Sequence, residues 1–163
     1  MSSQPVSYIE RITERYNSLG YQPYRWFEAE EPPPFAPLRK KLSESRLGLL
    51  TTAGCYAAGQ VAFHYKDDTS LRRIPTDIAL DRLRFAHITE NYLVDGRKDP
   101  DCLVPLTALR RLRDEGAIGG LAGEFISCMG GVYSQRRARE EMIPAIAAIF
   151  AEQDVDAALL VPM

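Results

Sequence analysis

SRLGLLTTAG, residues 45–54, is an apolar run in which Leu47, Leu49 and Leu50 give way to Thr51, Thr52, Ala53 and Gly54. A short apolar run bounded by turn-forming residues is the pattern of a buried strand. A strand that breaks into small residues and glycine is the usual shape of a ligand loop in an open α/β sheet. No G-x-G-x-x-G follows, so the run is not the dinucleotide fingerprint. No Gly-Lys-Ser/Thr follows either, which excludes the phosphate loop.

Working downstream, residues 55–82 are irregular and polar and read as a long functional loop. LRFAHIT (83–89) is a second strand and carries His87. Residues 91–102 read as another loop. VPLTALRRLRDEGAIGG (104–120) marks a helix, with Pro105 near its first turn, Leu106, Leu109 and Leu112 on one face, and Gly116 closing it. EFISCMGG (124–131) is a third strand that ends in two glycines. SQRRAREEMIPAIAAIFAEQDVD (134–156) is a long helix with Ser134 as N-cap. Pro144 inside it predicts a bend or short break. DVDAALLVPM (154–163) supplies the last strand, 157–161, read as a buried central one.

Upstream, Val6, Ile9, Ile12, Tyr16 and Leu19 are spaced for an amphipathic helix that stops at Gly20. The proline-rich stretch that follows carries Tyr24, Trp26, Phe27 and Phe35 and reads as an extended arm against an apolar surface. The expected architecture is one α/β domain over 1–163. It comprises an N-terminal helix (1–20), an extended arm with a short helix (21–45) and a sheet core (46–163). Strands alternating with helices predict a mainly parallel sheet with helices on both faces, a Rossmann-like or flavodoxin-like three-layer arrangement.

The 163 residues are 45% hydrophobic and 26% charged, with a net charge of -2. That balance gives no support for nucleic-acid or membrane-surface binding. No apolar run reaches the roughly 20 residues of a membrane helix, and the N-terminus lacks the pattern of a secretory signal. A cytoplasmic protein is expected. Cys55, Cys102 and Cys128 are odd in number and widely separated, which fits reduced thiols rather than a disulfide framework.

In an open parallel sheet the active crevice lies beyond the carboxyl ends of the strands. Those ends present Thr51, Thr52, Gly54 and Cys55, then His87 followed by Glu90, Asn91 and Tyr92, then Cys128, Gly130 and Gly131. Cys55, after a glycine in a loop, is expected exposed; Cys128 and Cys102 are expected buried. One reading is thiol redox or nucleophilic chemistry at Cys55 or Cys128, with His87 as base. The competing reading is that the cysteines are core residues and His87 a satisfied structural histidine. The spacing of Cys55, His64, His87 and Cys128 matches no metal-ligand pattern, so no metal is expected.

Several segments in order carry a resemblance: SRLGLLTTAG, RRIPTDI (72–78), FAHITENY (85–92), residues 99–125, CMGGV (128–132) and DVDAALLVPM. Together, over residues 21–163, they resemble the selenoprotein B family of glycine, sarcosine, betaine and D-proline reductases. TTAG and R-x-I-P-x-D bring them closer to the D-proline reductase branch. The resemblance implies a cytoplasmic subunit of an oxidoreductase that reductively cleaves a C–N bond of an amino acid or amine. It implies no cofactor in this chain and a pyruvoyl group on a partner subunit. Thr51, Thr52, Gly54, His87 and Tyr92 are carried over as pocket candidates, Gly130 and Gly131 join them from their place at the third strand end, and no family role transfers to Cys55. The family's selenocysteine or cysteine motif follows directly after the strand matching 157–161. The expectation is therefore a chain cut short just before its redox residue, inactive as given, that forms a homodimer to cover an exposed sheet face. A non-catalytic binding or assembly protein of the same fold, and a small thiol enzyme using Cys55 and His87, are the alternatives.

Overall fold

The computed structural model describes residues 5–23, 27–34 and 36–163. The chain divides into two compact units, Met1–Phe35 and Ala36–Met163. The first contains helix α1, Tyr8–Ser18. Gly20 takes φ 77° just past its end, a conformation that suits glycine and stops a helix. The Tyr21 amide donates back to the Tyr16 carbonyl at 3.0 Å, and the two rings meet with centroids 6.0 Å apart. Tyr24, Trp26 and Phe35 lie outside the described residues.

The second unit is a mixed α/β fold built on strand β1, Arg46–Thr51. Strand β7, Ala157–Val161, runs parallel to β1 along its length, from Leu47↔Ala157 to Thr51↔Val161. On the opposite side β1 pairs in parallel with β5, Gly120–Leu121, and then with β6, Glu124–Ser127. Strand β3, Arg72–Pro75, adds antiparallel to β6. The sheet is thus mostly parallel, with β1 central.

Alternation along β1 sends Leu49 and Gly48 to opposite faces. Leu49 joins a core with Phe125, Val104, and Leu106 and Leu109 of helix α3, Leu106–Asp114. On the other face a Cβ at Gly48 would meet Phe150 Cε1 at 2.8 Å and Val155 Cγ1 at 3.0 Å. Glycine here lets helix α5, Ile143–Glu152, lie close to the strand. The 134–152 helix starts as expected, with Ser134 Oγ accepting the Arg137 N–H at 3.3 Å at the head of α4, Gln135–Arg137. The break predicted at Pro144 takes the form of a π-helical stretch, Ala138–Met142, so that Pro144 falls in the first turn of α5.

Four expectations need correction. Strand β7 is an edge strand, with Leu159 37% and Leu160 62% exposed, because its outer side has no neighbouring strand among the described residues. Residues 55–82 are not one irregular loop. They contain β2, Cys55–Ala57, and β3, where Ile74 is fully buried and Pro75 closes an edge strand that can spare its N–H. The strand expected at 83–89 is shorter, β4, Leu83–Phe85. It pairs antiparallel with β2 in a separate two-stranded sheet rather than joining the parallel one. Residues 93–98 of the supposed second loop form helix α2, Leu93–Lys98, anchored by fully buried Leu93.

Candidate functional site at the carboxyl edge of the sheet

Strand β1 delivers the chain to its carboxyl end through residues held by side-chain bonds. Thr51 is fully buried; its Oγ1 donates to the Leu103 carbonyl at 3.0 Å and accepts the Ala53 N–H at 3.3 Å. Thr52 turns to β7: its amide donates to the Val161 carbonyl at 3.1 Å, and its Oγ1 accepts the Met163 N–H at 2.8 Å. Gly54 follows with φ 62°. Its amide donates to the Cys128 carbonyl and its carbonyl accepts the Ala86 N–H, both at 3.0 Å. A Cβ there would lie 2.1 Å from the Ala86 oxygen, so conformation and space both demand glycine. This tightly held turn places the segment after β4 against the ends of β1 and β6.

That segment carries His87, only 5% exposed. Its amide donates to Glu90 Oε1 at 3.3 Å, and the other oxygen of Glu90 is bonded to Arg97. Nδ1 accepts the Thr89 N–H at 3.1 Å and lies 2.7 Å from Thr89 Oγ1. An Nδ1 that accepts from a backbone amide carries no proton in the neutral ring, which assigns the hydrogen to Nε2. Burial holds the imidazole below the ordinary histidine pKa, and the nearby Glu90 charge pulls the other way with less effect. The ring is therefore neutral near pH 7, with one N–H to give. Nε2 is buried and has no hydrogen-bond partner. An unpaired buried donor costs about 1–3 kcal/mol.

Nε2 looks onto Gly130. A Cβ built on Gly130 would lie 3.0 Å from His87 Nε2, 3.0 Å from the Thr52 carbonyl oxygen and 2.7 Å from the Met163 carbonyl oxygen. At Gly131 a Cβ would fall 2.4 Å from Ile88 Cγ2. The two glycines leave room for His87 and Ile88, and the ends of β1, β6 and β7 meet the His87 segment at one point.

Among the expected site residues, Thr52, Gly54, His87, Gly130 and Gly131 come together here. Thr51 lies behind them as a buried strut. Tyr92 does not join them and is 77% exposed. Cys55 is not exposed: it is fully buried as the first residue of β2, opposite Phe85, and burial pushes its thiol up to about 12. At pH 7 about one such thiol in 10⁵ is ionised, too few for a poised nucleophile. Cys128 is buried, as expected, and pushed up to about 11. Cys102, expected in the core, is exposed in the 3₁₀ turn Pro100–Cys102. Partial burial first, then the charges of Asp99, Asp95 and Asp101, raise its thiol.

Sequence reading placed Glu90 at this strand end without its role, and missed Thr89; both orient His87. The readable signal was the local His-x-Thr spacing, which suits a side-chain-to-backbone turn. Among the described residues no three His, Cys, Asp or Glu side chains group as metal ligands, and no helix is long and apolar enough to cross a membrane. An open cavity of about 530 Å³, lined by Tyr56, Leu83, Arg84, Phe85, Arg97 and Lys98, shares no residue with the strand-end cluster.

Comparison with known proteins places this cluster in a family context. The family model for glycine/sarcosine/betaine reductase selenoprotein B matches residues 77–162. The D-proline reductase subunit gamma of Acetoanaerobium sticklandii is 33% identical over 141 residues, which is 86% of this chain and 58% of that protein. The chain thus spans somewhat more than half the length of that curated relative. No solved structure matches the chain significantly.

Proposed function

The chain belongs to the glycine/sarcosine/betaine reductase selenoprotein B family, and from that membership we propose that it is a subunit of a reductase of the D-proline type. The reaction is a two-electron reductive cleavage of the C–N bond at the α-carbon of an amino acid. A C–H and an N–H bond form where the C–N bond breaks, and a dithiol is oxidised to a disulfide. A pyruvoyl carbonyl on a partner subunit would hold the substrate amine. The observation that carries this reading is where the match falls: residues 77–162 include His87, Gly130 and the whole of β7.

In this reading the carboxyl edge of the sheet forms one wall of the substrate pocket. Thr52 fixes the end of β7, and Gly54 fixes the His87 segment. The sheet serves as a three-layer scaffold, with α3 and α5 on opposite faces of β1. Cys55 and Cys128, buried with thiols pushed up to about 12 and about 11, are poorly suited to supply the redox chalcogen. The exposed Leu159 and Leu160 on the free edge of β7 support association, with a second copy or with the partner subunit. The setting is cytoplasmic, in keeping with the reduced cysteines.

The test is to purify the tagged protein from its native host and identify what accompanies it. The expected result is a second polypeptide bearing an N-terminal pyruvoyl group. The assembly should convert D-proline to 5-aminopentanoate with dithiothreitol as reductant. Glycine, sarcosine and betaine serve as competing substrates that place the enzyme within the family. A chain that purifies without such a partner, and with no reductive activity on any of the four, overturns the reading.

A further inference from the structure

Strand β4 alternates buried Leu83, exposed Arg84 and buried Phe85. Leu83 and Phe85 join the core, so Arg84 stands on the outer face of the two-stranded sheet. Directly across the ladder is Tyr56 of β2, on the same face. Arg97 and Lys98 come from the last turn of α2, and Pro100 begins the 3₁₀ turn that follows. These side chains line the open cavity of about 530 Å³. That volume lies within the range of small-molecule sites, about 300–1,000 Å³.

The lining is cationic. Arg84, Arg97 and Lys98 face one carboxylate, Asp81, an excess of two positive charges. Neighbouring groups cancel part of it at Arg97, which is bonded to Glu90. Lys98 pairs with Asp95 at 3.4 Å with both side chains exposed, and such a pair contributes little. Arg84 makes no ion pair among the described residues. Its Nη1 donates to the Asp81 and Leu83 carbonyls at 2.7 and 2.8 Å. Those bonds fix the guanidinium on the backbone and leave the donors on Nε and Nη2 for a ligand.

We propose that this cavity binds a small organic phosphate, its phosphate on Arg84 and Lys98 and its body against Tyr56, Phe85 and Pro100. The donors select the anion. Guanidinium and ammonium groups only donate, so the ligand must bring acceptor oxygens. A phosphomonoester brings three of them and a charge of about −1.5 to −2 at pH 7, close to the excess in the lining. A carboxylate has two oxygens and one charge and leaves part of that excess unmet. The apolar wall selects the body: Tyr56, Leu83, Phe85 and Pro100 offer contact area that inorganic phosphate has no surface to use. The cavity is separate from the strand-end cluster, so the proposal stands or falls independently of the reductase reading.

Calorimetric titration of the 163-residue chain at neutral pH and low ionic strength tests it, with phenyl phosphate as the probe. Phenyl phosphate should bind about tenfold or more tightly than inorganic phosphate, which lacks the ring. It should exceed benzoate by a similar factor, about tenfold, because benzoate has the ring and a single charge. Phenol should show no binding. Arg84→Gln removes the charge-assisted donors and should weaken phenyl phosphate about tenfold or more. Lys98→Gln should weaken it severalfold, and it carries the test of charge if Arg84→Gln shifts the urea midpoint. Tyr56→Leu should weaken phenyl phosphate and leave inorganic phosphate as in the parent. Arg111→Gln, on exposed α3 outside the cavity, should change neither. The proposal is overturned by phenyl phosphate that fails to bind at millimolar concentration or binds no better than inorganic phosphate or benzoate. It is overturned equally by Lys98→Gln binding as the parent does, or by Arg111→Gln losing as much affinity as the cavity variants.

Discussion

Replacing Gly54 by alanine tests whether the turn after β1 holds the His87 segment as tightly as its geometry implies. Two costs add. A Cβ at φ 62° pays the left-handed penalty, about 1–2 kcal/mol. The same Cβ would sit 2.1 Å from the Ala86 oxygen, where ordinary contact begins near 3.4 Å. The obstacle is backbone and cannot swing aside. Moving it by more than about 1 Å stretches the Ala86 N–H to Gly54 carbonyl bond from its 3.0 Å. That removes about 1 kcal/mol of hydrogen bonding, and the overpacking itself costs about 1–3 kcal/mol. The expected loss is about 3–6 kcal/mol, a large part of a typical domain's stability. Gly116→Ala is the control. Gly116 has φ 73°, and a Cβ there meets nothing within 4 Å, so it pays only the conformational cost. Alanine's lower unfolded-state entropy offsets part of the loss equally in both variants. Urea titration should therefore separate the two midpoints by about 1 M or more, with m unchanged. Coinciding midpoints would mean that Ala86 does not press on Gly54, and the account of how His87 reaches the sheet edge would fall.

The remaining predictions concern the thiols, the buried strut and pH. Iodoacetamide should label the native protein at Cys102 first, with Cys55 and Cys128 reacting only as the chain unfolds; peptide mass spectrometry showing fast native labelling of Cys55 would revive the thiol-enzyme reading. Thr51→Val keeps the shape and removes the donor to the Leu103 carbonyl, so it should cost about 1–3 kcal/mol, and an unchanged melting temperature would refute that assignment. Burial lowers the His87 pKa in the folded protein. Below the ordinary value of about 6.5 the unfolded chain therefore takes up a proton before the folded one, and stability falls with pH until the folded ring also titrates. His87→Asn should lose that component; parallel urea-midpoint profiles for parent and variant between pH 7 and pH 5 would contradict it.

The parallel frame was legible because it rests on local signals. The run at 45–54 gave β1, the Ser134 cap and Pro144 marked the start and the irregularity of the long helix, and 157–161 gave β7. What failed was placement. Residues 157–161 read as central because five small or apolar residues look alike at the centre and at an edge of a sheet. Only the absence of a strand beyond β7 distinguishes them. β3 was hidden because Arg72, Arg73 and Pro75 surround a single buried Ile74. The arginines lie at a sheet edge, where Arg73 forms ion pairs with Glu124 and Glu152. Those partners are 51 and 79 residues away in sequence, beyond any local pattern. The burial of Cys55 and exposure of Cys102 were misread for the same reason: the glycine before Cys55 signals a turn, and here the turn runs inward.

The same distinction explains what could be known of His87. Its position after a short strand made it a candidate for chemistry, and the natural inference from sequence was a base beside a thiol. Which nitrogen is free depends on the Thr89 amide, and whether that nitrogen is paired depends on what stands across from it. Gly130 stands there, and it reads in sequence only as a strand ending in two glycines. Its missing side chain gives His87 space without giving it a partner. A side chain with a hydroxyl at that position would compete for Nε2 and could supply an internal acceptor, but even its Cβ would collide with three atoms. Packing thus rules out an internal solution at position 130 while the turn at Gly54 keeps the ring from leaving. The unpaired donor follows from two glycines, one in the turn after β1 and one in the bend after β6.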